Sequence, residues 1–165
     1  MENSYVHEIE LYPPETFKTL LNHEVNKSHR YGDSLTLVDM VVETDPANEL
    51  AQHSAEVFTI NALSIRLRDT DIPCKQGNEF LILMPATGAT GARTACERLK
   101  RVMDIEPQAD DKASFKLSVY MGMASLPYND SSVSSDKLMQ SASQALRYAQ
   151  TNQLTKVISF SEIKE

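Results

Sequence analysis

The sequence predicts an α+β fold: a mixed central sheet with helices on both faces, built on a ferredoxin-like, palm-type core. Three observations lead there. Four segments repeat apolar residues at intervals of three and four, while five short runs are apolar or β-branched without that period. In chain order they read as a helix, then β-α-β-β-α-β, then a last helix and strand, and the middle unit is the split βαβ arrangement. At 165 residues the chain has the length of one domain, read as spanning 1–165 with a core from about 13 to 160.

Each element follows from local chemistry. Pro13-Pro14 can open a helix, because proline is tolerated in the first turn. Phe17, Leu20, Leu21 and Val25 form its apolar stripe, and Gly32 in "RYGDS" ends it. "LTLVDMVV", Leu35 to Val42, reads as a buried strand. "TDPAN" turns the chain into a second helix, with Ala51, Ala55, Phe58, Ala62 and Ile65 facing the sheet. "IPCK" and "EFLILM" form a hairpin around the polar tip Gln76-Gly77-Asn78-Glu79. A third helix buries Ala92, Ala95, Cys96, Leu99 and Val102. The acidic loop "DIEPQADDKA" precedes a strand at Ser114 to Ser125. Ser134 or Ser135 can cap a fourth helix, whose stripe is Leu138, Ala142, Ala145 and Ala149. "KVISF" reads as the final strand.

Composition excludes several classes of function. A formal charge of −7 argues against general binding of nucleic acid or of an anionic membrane surface, both of which need a basic face. No apolar run approaches the roughly 20 residues that span a bilayer, so membrane insertion is not expected. "MENSYVHEIELYPP" has no basic-then-apolar leader, and the cytoplasm is the expected location. Cys74 and Cys96 lack metal-site spacing and read as reduced, buried thiols. His7, His23, His29 and His53 are dispersed, with no acid or nucleophile at useful spacing. Composition and spacing thus supply no catalytic group, no metal site and no cofactor.

Several segments, in order, resemble the GGDEF domain of bacterial diguanylate cyclases. They are "HRYGDSLTLV", Arg68-Asp69-Thr70-Asp71 followed by "IPC", "EFLILMP", "YMGMAS" and "ASQALRYAQ". The resemblance runs from about Pro13 to Phe160. It implies an enzyme that joins two GTP molecules into cyclic di-GMP around a divalent metal held by clustered carboxylates. This chain departs from the family at the chemistry. Val41 stands where the resemblance places the metal aspartate of the first strand, with Glu43 two positions later. The glycine pair becomes Gln76-Gly77, and the signature acid becomes Asn78. The guanine-binding segment is shortened to "ETDPANEL", and the phosphate-holding lysine and arginine align with Gln150 and Leu154. Glu79 remains and reads as a solvated turn residue or a local pair. The expectation is a domain without catalytic residues, metal or turnover.

The arginine-x-x-aspartate survives at the family's offset from the hairpin. In active members it forms the inhibitory site that binds cyclic di-GMP. The resemblance therefore implies a ligand site of Arg68, Asp71 and, on the following helix, Arg98. An arginine fork grips phosphate or the guanine edge and stacks on the base, while an aspartate accepts from guanine N–H groups. Arg68 and Asp71 are expected at an exposed helix end and loop, with Arg66, Lys75, Arg98 and Arg101 gathered near the same edge. Taken alone, "SIRLRDTD" also reads as a charged helix end with weak surface ion pairs. The expected function is a catalytically inactive cyclic di-GMP receptor in bacterial signalling, acting on a downstream protein partner. The family often binds this ligand as a stacked dimer, which implies a homodimer in which Lys27 and Arg30 reach across. The alternatives are a nucleotide-independent protein-interaction module on the same fold, and residual cyclase activity.

Overall fold

Strand β1, Leu35–Asp45, is the centre of the molecule because its first seven residues are all buried. It lies between β3 (Glu79–Pro85) and β4 (Lys116–Ser125), antiparallel to both, in a five-stranded sheet of order β2-β3-β1-β4-β5. The edges are β2 (Ile72–Gln76), antiparallel to β3, and β5 (Ile158–Ser159), parallel to β4. This is the computed structural model of the chain, and it describes residues 10–105, 115–126 and 132–163. His7, most of the acidic loop at 104–113 and Ser131 lie outside the described residues.

Alternation along β1 sorts the helices. Leu35 and Leu37 pack with Phe17, Leu21 and Val25 of α1 (Pro14–Tyr31) and with Leu138 and Ala142 of α4 (Ser135–Thr151). Val38 and Met40 point the other way, onto Ala62 and Leu63 of α2 (Glu49–Arg66) and Ala92, Cys96 and Leu99 of α3 (Ala89–Ile105). Two helices thus cover each face, giving the mixed α+β palm that the sequence predicts. Both cysteines are free and buried. Among the described residues no helix is long and apolar enough to cross a membrane.

The ends of the helices follow their capping residues. Gly32 stops α1 in the left-handed region at φ 74°, its N–H bonding to Ser28 O at 2.8 Å. The side chains of Asn48 and Ser134 accept from the N–H groups of Ala51 and Lys137 and start α2 and α4. Two expectations need correction. Ile65 is 67% exposed, because it lies two residues past buried Leu63 and so comes out on the far side of α2. The last strand keeps only two residues, because Ser159 and Glu162 form a reciprocal cap that turns the chain into a 3₁₀ segment, Phe160–Glu162.

One glycine fixes the distance between α4 and the sheet. Gly122 of β4 lies beside Asp39, and a Cβ there would stand 2.1 Å from Leu146 N and 2.7 Å from Ala142 O. The α4 backbone therefore rests directly on β4 at Gly122.

Candidate functional site

The β2–β3 hairpin carries candidate residues at both ends. At its tip, Gln76 pairs with Glu79, leaving Gly77-Asn78 as a two-residue loop. Gly77 takes φ 61°, and a positive φ at the first central position fits the II′ class. The loop is thus as short as a hairpin allows, and its one glycine serves the turn. Lys75 Nζ donates to Gly77 O at 2.8 Å and lies 3.7 Å from the Glu56 carboxylate. Its charge is already paired there, at the tip.

Beneath the tip, a cleft of about 330 Å³ lies between the hairpin and α4, and Asp39, Gln76, Glu79, Gln140, Gln144 and Arg147 line it. Asp39 is 2% exposed, and its Oδ1 has no hydrogen-bond partner among the described residues. Burial pushes its pKa up to about 8; the adjacent Glu79 carboxyl adds to the rise, and the Arg147 charge opposes it. A carboxyl so buried beside another favours its neutral form. Sequence reasoning passed over Asp39 and put the strand's acid position at Val41, which is core, packed with Tyr120 and Leu146. The available signal was a lone acid inside the apolar run "LVDMVV". Glu79 is half-buried, which makes it the local pair rather than the solvated turn residue.

Asp39 and Glu79 are the two acids of this cleft that could hold the family's metal. Magnesium is commonly held by one or two carboxylates and completed by substrate phosphates. Arg147 lines the same cleft and its charge acts on Asp39, and among the described residues no group of three or more His, Cys, Asp or Glu converges. The phosphate side is also occupied. Gln150 Nε2 donates to Glu43 Oε2 at 3.0 Å, and Leu154 packs against the Val41–Tyr120 cluster. The neighbouring cleft, about 420 Å³, brings Glu43, Glu49 and Glu56 together with Lys75 and His53. Excess negative charge of this kind opposes a triphosphate.

The root of the hairpin is built differently. Leu67 caps α2, and the next four residues close a turn in which Asp71 N–H bonds to Arg68 O at 3.0 Å. The Asp71 carboxylate accepts the Arg68 backbone N–H at 2.9 Å and Arg68 Nη2 at 3.1 Å. Nη2 also donates to Thr87 Oγ1, at the end of the hairpin's second strand. The Arg68 side chain is 55% exposed and that of Asp71 only 2%. This corrects the expectation that both are exposed: Asp71 is drawn inside because its oxygens satisfy the donors at the end of α2. Arg98 is exposed on α3, which packs beside α2, and no hydrogen bond or ion pair joins it to Arg68 or Asp71. Thr87 was not foreseen from the sequence. His29 Nε2 meets Val133 O at 2.7 Å, a structural contact consistent with its dispersed setting.

Residues 57–155, more than half of the chain, match the family model described as diguanylate cyclase, GGDEF domain. No curated protein sequence matches the chain. Among solved structures, the active GGEEF domain of a diguanylate cyclase from Vibrio cholerae superposes with TM-score 0.78 at 14% identity, covering 92% of this chain and 98% of that one. The GGDEF domain of DgcB from Caulobacter crescentus, solved in complex with c-di-GMP, gives 0.73 at 13% identity and 92% of both chains. Diguanylate cyclase SiaD from Pseudomonas aeruginosa, in complex with its activator SiaC, gives 0.74 at 19% identity, over 90% of this chain and 58% of that one. At these identities the structural likeness speaks for the fold, and the family model speaks for descent: the chain belongs to the GGDEF domain family of diguanylate cyclases.

Proposed function

We propose that this GGDEF domain makes no cyclic di-GMP and instead binds it as a receptor at the corner formed by Arg68, Asp71 and Arg98. The observation that carries the reading is the Arg68 guanidinium, anchored through Nη2 by Asp71 and Thr87 while over half of its side chain faces solvent. A planar fork held on one side presents its face and remaining N–H groups to a phosphate or a guanine edge. Asp71 enters the site by holding Arg68, because its two oxygens are already engaged by that residue. It reaches a guanine N–H only by releasing Arg68. Arg98 adds a second positive charge on α3 in an otherwise acidic chain. A stacked ligand dimer joining two copies belongs to the same proposal. In a single copy, Lys27 lies 3.9 Å from Glu24, and Arg30 stacks over Tyr31 at 5.6 Å, so these two would have to turn outward to help.

The absence of turnover rests on the tip. Asn78 brings no charge, burial holds Asp39 toward its neutral form, and Gln150 and Leu154 have other partners. Phosphoryl transfer needs metal and cations at the developing charge, and the tip has lost the signature acid and the phosphate-holding lysine and arginine. Two measurements test the proposal together. Purified protein with GTP and magnesium or manganese should form no cyclic di-GMP above a blank, and calorimetry should detect saturable cyclic di-GMP binding. Product accumulation overturns the first half; absence of heat at millimolar ligand overturns the second.

One observation favours the interaction-module reading. Leu50, Val57 and Ile65 stand exposed along α2 at 64%, 46% and 67%, the kind of surface a protein partner covers. The downstream partner of a receptor would use the same surface, so the ligand titration separates the two readings.

A further inference from the structure

We propose that Thr87 is a positioning residue of the nucleotide site, its hydroxyl setting the plane in which Arg68 meets an anionic nucleotide. The inference rests on the receptor reading and adds a residue to it. Thr87 Oγ1 donates to Pro85 O at 2.9 Å, so its single proton is committed and its lone pairs are left to accept Arg68 Nη2. Its backbone is anchored independently: buried Thr36 of β1 donates Oγ1–H to Thr87 O at 2.9 Å, and Thr36 Oγ1 lies 2.6 Å from Ser125 Oγ of β4. Thr87 itself is buried. Its place is therefore set by the ends of three strands, β3, β1 and β4, and not by the arginine it holds. Asp71 grips one edge of the guanidinium, at Nη2 at 3.1 Å and more weakly at Nε at 3.5 Å. Thr87 adds a second, independently anchored acceptor at Nη2, so the fork is held by two groups and less freedom is lost when a ligand binds.

Thr87→Val keeps the shape and removes the acceptor, and Thr87→Ser restores it. In calorimetric titration with cyclic di-GMP, Thr87→Val should weaken binding by about three- to tenfold, with Thr87→Ser close to the parent. In an Arg68→Ala background the valine substitution should add nothing, which a purely structural lesion would not reproduce. A ligand-free arm reads the same contact directly: by nitrogen-15 NMR, rotation of the Arg68 guanidinium should be slow in the parent and faster in Thr87→Val. Melting temperatures of all variants show whether valine has disturbed the fold; the serine variant carries the test if it has. A parent that fails to bind cyclic di-GMP overturns the receptor reading. Unchanged guanidinium rotation in Thr87→Val, or an equal loss of binding with and without Arg68, overturns the role of Thr87.

Discussion

At the tip of the β2–β3 hairpin the side chains are neutral or already joined to one another. At its root, one arginine is held rigidly and left open on one side. The tip has Asn78 in a minimal loop, Lys75 paired with Glu56, Glu43 with Gln150 and Asp39 with Glu79. The root has Arg68 gripped by Asp71 and Thr87, with 55% of its side chain in water. On the receptor reading proposed above, the difference teaches how a fold can keep one ligand site and lose another. Charges that pair internally stabilise the domain but leave nothing for a substrate, whereas a charge that is half paired is preorganised for one.

The largest expected effect tests whether the two ends are separable. Gly122→Ala forces a methyl group to within 2.1 Å of the α4 backbone, and no side-chain rotation relieves it. Overpacking typically costs 1–3 kcal/mol and occasionally more, and a clash against backbone belongs at the upper end, roughly 3 kcal/mol or above. Chemical denaturation should show that loss, with α4 lifted from the tip side of the sheet. The folded fraction should still bind cyclic di-GMP as the parent does. An unchanged midpoint would mean that α4 does not rest on the sheet as described.

Next come the root residues. Arg68→Ala should weaken cyclic di-GMP binding by roughly 10–100-fold, because a charge-assisted contact is typically worth about 1.5–3 kcal/mol. Asp71→Ala should weaken it comparably and also lower stability by about 1–3 kcal/mol, since it strips the acceptor from the Arg68 N–H. Asp71→Asn keeps the size and tests whether charge is what holds the fork. A stable Asp71→Ala protein with parental affinity would remove the root from the site altogether.

Asp39→Asn probes the tip through pH. The Asp39 pKa rises from an ordinary 3.8 to about 8 on folding, so between those values the native state holds a proton that the unfolded chain releases. Stability should therefore fall as pH rises from about 4 to about 8 and level off above that. Asparagine removes the ionisation and can donate to Glu79, so the variant should lose that slope and gain on the order of 1–2 kcal/mol at pH 8. Thermal melts across the range decide it. Parallel slopes in parent and variant would mean that Asp39 takes up no proton on folding.

Periodicity and caps make the elements readable in the sequence itself. Buried stripes such as Leu138, Ala142, Ala145 and Ala149 repeat at helical spacing, and Gly32 and Ser134 are strong end signals. The candidate site is legible only where contacts are local. Arg68 and Asp71 are three residues apart, so their pairing is written into one short stretch of chain. The Asp39–Glu79 pair joins residues 40 apart through strand register, and the Arg68–Thr87 bond spans 19 residues through the hairpin. Such contacts exist only once the sheet is assembled. The burial of Asp71 is hidden for a related reason: charge suggests exposure unless the donors at the end of α2 are counted.

The smallest expected effect asks what aims Thr87 at Arg68. Ala86, between Pro85 and Thr87, takes φ 54°, in the left-handed region where a side chain costs on the order of 1 kcal/mol. Glycine adopts that conformation freely but gives the unfolded chain more entropy, which offsets part of the gain. Ala86→Gly should therefore leave stability unchanged or raise it by up to about 1 kcal/mol, a shift of a few degrees in Tm at most. Its effect on the root discriminates two causes. If the turn at Ala86 aims Thr87, the looser glycine should weaken cyclic di-GMP binding. If the bonds to Thr36 and Pro85 aim it, affinity should stay within about twofold, and the density of hydrogen bonds around Thr87 favours this outcome. A drop of several degrees in Tm would show that Ala86 is unstrained, and a loss of affinity beyond about threefold would move the aiming of Arg68 from the hydroxyl network to the backbone turn.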